Sequence, residues 1–153
     1  MDLILWRHAE AVEAQGDMSD DDRPLTPKGL RQAQRMAHWL NQHIPESTRV
    51  LVSPALRTQQ TAEALKRKMR TLPALGTEAS VEALLHAARW PDSREPVLVI
   101  GHQPTLGMAA AYLVAGAALP WTLRKGGIWW LRQRQRVDRD EVIVQTVLGP
   151  DQV

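Results

Sequence analysis

Two arginines and two histidines stand where apolar runs stop. "LILWRHAE" (Leu3 to Glu10) ends its apolar run on Arg7-His8, and "PVLVIGH" (Pro96 to His102) ends on Gly101-His102. Between them, "RVLVSPALR" (Arg49 to Arg57) ends on Ser53-Pro54, with Arg57 one turn into the next segment. A core strand needs none of these residues. Guanidinium groups grip phosphate oxygens in bidentate fashion and stay charged at every relevant pH. Imidazole titrates near neutrality, so it serves as a nucleophile when neutral and as a donor when charged. One histidine attacking phosphorus while the other donates to the equatorial oxygens would split one hard displacement into two easier ones. The arginines would face the charge-spread transition state. No glycine-rich phosphate loop is present, so P-loop and nucleotide-kinase chemistry is excluded.

These residues meet only if the elements place them together. The runs "LILW", "RVLV" and "PVLVI" are short and almost continuously apolar, as strands of a parallel sheet are when both faces are covered. Helical patterns separate them. Thr26-Pro27 reads as an N-cap with proline at the first helical position, followed by Leu30, Ala33, Ala37 and Leu40 up to about Ile44. Ser53-Pro54 reads as a second cap, opening a helix to about Met69 that carries Leu56, Ala62 and Leu65. Gln103-Pro104-Thr105 opens a third helix, ending near Gly116. Leu72 to Arg94 reads as an extended piece and a short helix around Ala83 to Ala88. "GGIWWLRQRQR" and "EVIVQTVL" read as two antiparallel strands added at the end. The expectation is an α/β fold of three layers, αβα, with a mostly parallel central sheet and an antiparallel C-terminal addition. It forms one domain over residues 1–153. Ligands of such sheets bind beyond the carboxyl ends of the strands, where Arg7, His8, Arg57 and His102 would converge.

Composition bounds the function. The chain has 153 residues, 44% of them hydrophobic and 24% charged, which suits one globular domain with one core. With no cysteine there is no disulfide framework, thiolate metal site or cysteine nucleophile, and a reducing cytoplasm is compatible. Arg7 ends the first apolar run too early for a signal peptide. Leu106 to Leu123 carries no charge, but it is rich in Ala and Gly and broken by Pro120. It reads as a buried helix and a turn, not a membrane span. A net charge of +2 mildly favours phosphate or acidic partners and does not diagnose nucleic acid.

The motifs together resemble the histidine phosphatase superfamily, the phosphoglycerate-mutase-like group. "RHAE" is similar to its Arg-His-Gly signature, "VLVSPALRTQQTA" to its Ser-Pro-x-x-Arg-x-x-x-Thr block, and "VLVIGHQPTL" to its second-histidine block. "DDRPLTPKGLRQA" is similar to the segment leading into its first helix, and "RKGGIWWL" to the entry of its late strand. The short length and the Arg-Pro-Leu-Thr-Pro-Lys-Gly run point to the SixA-type phosphohistidine phosphatases. The resemblance implies His8 as the phosphorylated nucleophile, Arg7 and Arg57 as clamps on the phosphoryl oxygens, and His102 as a donor to them. It implies no metal and no organic cofactor. Ala9 departs from the usual glycine, and alanine takes positive φ only at a cost. Glu82 in "SVEALL" is the nearest match to the general acid of larger members, and it is either that acid or a bystander.

A missing acid would suit phosphohistidine, whose imidazole leaves more easily than an alkoxide. The reading is therefore a cytoplasmic phosphatase acting on a phosphohistidine-bearing signalling protein, such as a histidine phosphotransfer domain. The alternatives are a small-molecule or broad phosphomonoester phosphatase and a catalytically silent phosphoprotein-binding module. Neither nucleic acid nor membrane is an expected partner. Arg23 reads as lining the site or, preferably, as a bridge to the acidic loop Asp17 to Asp22, and Glu10 as a brace or a solvated residue. His38, His43 and His86 read as surface residues, and the tryptophans as core. Arg132, Arg134 and Arg136 share one face of a strand. "KRKMR" (Lys66 to Arg70) reads as cations offsetting a helix dipole.

Overall fold

A six-stranded sheet of order β3-β2-β4-β1-β5-β6 forms the centre of the computed structural model, which describes residues 1–153. The strands are β1 (Asp2–Arg7), β2 (Arg49–Val52), β3 (Arg70–Thr71), β4 (Val97–Gly101), β5 (Ile128–Gln135) and β6 (Asp140–Leu148). The helices are α1 (Pro27–His43), α2 (Leu56–Glu63), α3 (Val81–Ala88) and α4 (Thr105–Ala115). Strands β3, β2, β4 and β1 run parallel, whereas β5 is antiparallel to β1 and β6 to β5. The expected αβα architecture is therefore present, with its antiparallel addition at the C-terminal end.

The period-2 alternation of strand side chains divides the core in two. Ile4, Trp6, Val50, Val52, Leu98, Ile100 and Trp130 face α1 and α2, meeting Met36, Ala37, Leu40, Ala62 and Leu65. Leu3, Leu5, Leu51, Val97, Val99 and Leu131 face α3 and α4, meeting Leu84, Ala88, Leu106, Ala109 and Ala110. Trp130 packs in the first layer and Trp129 against the second, as neighbours on a strand must. Trp6 is fully buried, and its Nε1 donates to the Gly126 carbonyl at 2.9 Å, which satisfies its polar edge.

Helix α1 starts as its sequence dictates. Thr26 is the N-cap, its Oγ1 accepting from the Gly29 amide at 2.9 Å, and Pro27 is the first helical residue. Thr26 Oγ1 also donates to Glu10 Oε2 at 2.8 Å, so Glu10 braces this corner. The corner is tight. A Cβ at Gly29 would overlap the Glu10 carbonyl oxygen, so glycine is required there by close approach.

Four local expectations are corrected. Leu30 is exposed, and Met36 takes the buried place on α1. Leu56 is likewise exposed. Ser53 does not cap α2, whose N-cap is Ala55 with no side-chain bond. Helix α2 ends at Glu63 and not near Met69, because Lys66 takes a left-handed backbone (φ 54°) that turns the chain toward β3. The "KRKMR" cations are consequently not a helix terminus. No helix is long and apolar enough to cross a membrane.

Gly29→Ala is expected to lower the unfolding free energy by about 1–3 kcal/mol, since the backbone of residue 10 must move to admit the methyl group. Thermal denaturation measures this as a Tm drop of roughly 2–10 °C, and an unchanged Tm would contradict the packing described.

Candidate active site

Parallel register delivers the chemistry to one edge of the sheet. Arg7 pairs with Gly101 across β1 and β4, and Val52 with Ile100 across β2 and β4. The pairing continues one residue further, with His8 N–H donating to Gly101 O at 3.2 Å and Ser53 N–H to Ile100 O at 3.1 Å. His8, Ser53 and His102 thus sit side by side past the carboxyl ends of three adjacent strands. The His8 and His102 rings lie 5.5 Å apart between centroids. Arg57, the second residue of α2, is buried against them. His8, His102, Arg57 and Arg7 line a crevice of about 350 Å³ that also includes Asp20, Arg23 and Lys125, with Ser53 buried behind His102.

Each side chain is fixed by a specific bond. His8 Nδ1 lies 2.7 Å from the Ala9 carbonyl. A carbonyl only accepts, so Nδ1 carries the hydrogen and the Nε2 lone pair of the neutral ring is free. His102 Nε2 lies 2.7 Å from Ser53 Oγ, which also accepts from the Ala55 amide. Arg7 Nη1 donates to the Leu123 carbonyl at 2.8 Å. Arg57 donates from Nη1 to the Asp20 carbonyl at 2.7 Å and from Nη2 to Asp20 Oδ2 at 2.9 Å.

Burial sets the protonation states. It is the largest influence on His8, whose pKa falls to about 3, with the Ala9 carbonyl opposing and the charges of His102, Arg57 and Arg7 adding to the fall. Burial likewise lowers His102 to about 4, helped by Arg57 and opposed by Asp20. Both rings are neutral at pH 7. Four buried side-chain nitrogens in the protein have no hydrogen-bond partner, and three belong here: Arg7 Nε, Arg57 Nε and His102 Nδ1. Buried donors without partners are costly, and a bound oxyanion is the group that satisfies them.

The structure thus brings together Arg7, His8, Arg57 and His102 as the sequence predicts. Glu82 is not brought in. It sits exposed in the first turn of α3, which turns Leu84 and Ala88 to the core, and it does not line the crevice. Arg23 both bridges the acidic loop, at 3.0 Å from Asp20 Oδ1, and lines the crevice. Ala9 is buried outside the left-handed region, its amide donating to Thr61 Oγ1 at 3.1 Å, so alanine replaces glycine without backbone strain. His38, His43 and His86 are exposed. Sequence reasoning missed three contributors. Ser53 was read as a cap, Lys125 gave no signal beyond its place before Gly126-Gly127, and Asp20 was one acid among four in its loop. Gly126 has φ 72° and donates its amide to the His8 carbonyl at 3.0 Å, which is what carries Lys125 to the crevice.

Residues 3–85 match the family model of the histidine phosphatase superfamily (branch 1). The chain belongs to this superfamily. It is 37% identical over 129 residues to the phosphohistidine phosphatase SixA of Escherichia coli (strain K12), covering 78% of each chain. Among solved structures it is similar to the protein histidine phosphatase SixA complexed with tungstate, with 28% identity and a TM-score of 0.77 over 99% of this chain and 98% of that one. A SixA-type structure from Nakamurella multipartitia gives 29% identity and a TM-score of 0.77 over 97% and 95%. The histidine phosphatase fold and hydrolase class are thereby established for this chain, in agreement with the resemblance carried by its motifs.

Two outcomes follow from the geometry of this histidine phosphatase. The first concerns pH. A histidine depressed on folding contributes stability that is full above its unfolded pKa near 6.5 and is lost as pH falls toward the folded values of about 3 and about 4. Between about pH 6.5 and pH 4.5 each histidine steepens the loss by up to about 1.4 kcal/mol per pH unit. Urea denaturation in phosphate-free buffer should show wild type losing more stability over this window than His8→Ala/His102→Ala; equal losses would contradict it. The second concerns Asp20, whose carboxylate occupies the Arg57 and Arg23 donors that an oxyanion needs. Asp20→Asn should tighten inorganic phosphate binding by roughly two- to fivefold, read as a lower inhibition constant. Weaker binding would show that Asp20 supports the anion site instead of competing for it.

Proposed function

We propose that the protein is a phosphohistidine phosphatase that acts on a phosphorylated signalling protein through a phosphohistidine intermediate at His8. The observation that carries this reading is the locked ring of His8, with Nδ1–H spent on the Ala9 carbonyl and Nε2 free beside two neighbouring guanidinium groups. Nε2 attacks phosphorus in line as the bond to the substrate's imidazole nitrogen breaks and that nitrogen takes up the electron pair; with a proton on its other ring nitrogen, the substrate's imidazole leaves neutral. Water then attacks the phosphoryl group on His8, giving inorganic phosphate and regenerating the neutral ring. Arg7 and Arg57 hold the phosphoryl oxygens throughout. With Ser53 Oγ–H donating to Nε2, His102 carries its hydrogen on Nδ1 and donates it to a third oxygen.

The leaving group supports the choice of substrate. The carboxylates lining the crevice are Glu13 and Asp20. Asp20 is held below the usual carboxylate range by its bonds to Arg23 and Arg57, so it is ionised and has no proton to give. Glu13, at the crevice, and Glu82 are both exposed to solvent, and neither carboxylate is held by a hydrogen bond. A phosphohistidine imidazole departs without a positioned carboxylic acid, whereas an alkoxide needs one. The similar SixA structure is complexed with tungstate, a phosphate-like oxyanion, which supports a phosphoryl ligand for this chain. No cofactor is required by these steps.

Phosphate release from a phosphohistidine protein and from an aryl phosphate tests the proposal. Wild type should prefer the phosphohistidine, with EDTA having no effect, and His8→Ala should lose roughly 10³-fold or more of the rate. A preference for the aryl phosphate would move the substrate to small molecules. Undiminished activity in His8→Ala would end the covalent mechanism.

A further inference from the structure

The fourth buried nitrogen without a partner is Arg49 Nη1, and it lies at the other end of the sheet. Arg49 opens β2 at its amino end, whereas Ser53, beyond its carboxyl end, bonds His102 of the catalytic crevice. The two points are separated by roughly 13 Å of strand. Arg49 lines a cavity of about 890 Å³, larger than the catalytic crevice and sharing no residue with it.

The charge of this cavity is one-sided. Arg49, Lys66, Arg67, Lys68, Arg70 and Arg89 line it, against Glu46 as the one acid. Arg67 is occupied, donating to Asn41 Oδ1 at 2.7 Å and to the Pro45 and Ile44 carbonyls, so it forms wall and not ligand donor. The other five cations have no salt bridge. Burial, then the like charge of Arg89 and more weakly that of Arg70, hold Arg49 below the ordinary arginine value, with Glu95 pulling the other way. Like charges gathered around a guanidinium with one nitrogen closed off from solvent repel one another unless an anion joins them.

The early end of α2 builds this site. Lys66 and Arg89 are the only non-glycine residues with positive φ, at 54° and 56°, and each turns its segment where a helix stops. Those two reversals bring the "KRKMR" segment and Arg89 to the start of β2. Left-handed backbone at non-glycine residues is sparsely populated and concentrates at functional positions. The floor is apolar, with Val50, Leu51, Leu65 and Met69 among the lining residues.

We infer that this cavity is a second anion site that binds a polyphosphate chain, either inorganic or carried by a nucleotide. Several cations around one open cavity match several linked phosphates better than a single one. Its volume suits a small molecule, and the apolar lining residues can take an organic body.

Amide chemical shifts of the ¹⁵N-labelled full chain, titrated with tripolyphosphate and separately with ATP at constant ionic strength, test the inference and separate this site from the crevice. Saturable shifts are expected at Val50, Lys66 to Arg70 and Arg89, independent of those near His8 and His102. Arg49→Gln/Arg89→Gln should weaken these shifts about tenfold or more while leaving phosphatase activity and the crevice shifts unchanged. Tighter binding of ATP than of tripolyphosphate identifies the nucleotide as the source, and equal or weaker binding identifies the bare chain. Shifts confined to the crevice, or a double variant that binds as wild type does, would overturn the inference whatever the fate of the proposed catalytic reaction.

Discussion

The parallel pairing of β4 with β1 on one side and β2 on the other is the constraint from which the rest follows. Parallel strands in register end at the same level, so the residues that follow them become neighbours despite separations of tens of residues in sequence. The apolar cores on both faces hold that register, because a slip of one residue would turn Leu3, Leu5, Val97 and Val99 into the wrong layer. The geometry of the candidate site is therefore a by-product of hydrophobic alternation. The crevice residues themselves, as desolvated cations and neutral imidazoles, oppose it.

That opposition is informative. Arg7 and both crevice histidines are shifted by burial toward their uncharged forms, and three of their neighbouring nitrogens are closed off without partners. The protein tolerates these costs where a bound oxyanion would relieve them. Asp20 relieves part of the cost by lending a carboxylate to Arg57 and Arg23. The acidic loop therefore acts on the crevice as a tethered anion of modest strength, since Asp20 itself is well exposed. A closed-off nitrogen without a partner recurs at Arg49, which is itself partly exposed and has no carboxylate within salt-bridge distance.

Positioning of His8, the proposed nucleophile, depends on small packing details outside the crevice. Glu10, two residues beyond His8, is clamped by Thr26 and by the close approach of Gly29 at the start of α1. Gly126 holds the His8 carbonyl, and Thr61 holds the next amide. The ring is thus oriented by backbone contacts on both sides, with its tautomer set by the Ala9 carbonyl. Fixing a nucleophile through the main chain leaves its reactive nitrogen unencumbered.

The sequence by itself determined the layers, five of the six strands and the four residues at or just beyond their ends, because these are periodic or local features. Apolar runs mark buried strands, Thr26-Pro27 marks a helix start, and Arg7, His8, Arg57 and His102 stand out as polar residues at the ends of apolar elements. Other choices depended on contacts between distant segments and were decided only by the tertiary structure. Ser53 looked like a cap until its oxygen was seen to meet His102, forty-nine residues away. Glu82 matched an acid by order in the chain, but the packing of Leu84 and Ala88 turned it to solvent. Lys66 to Arg70 read as the end of a helix, since nothing local announces a left-handed lysine. Its backbone strain is offset by the burial of Leu65 and the pairing of β3, both long-range terms that no window of sequence contains.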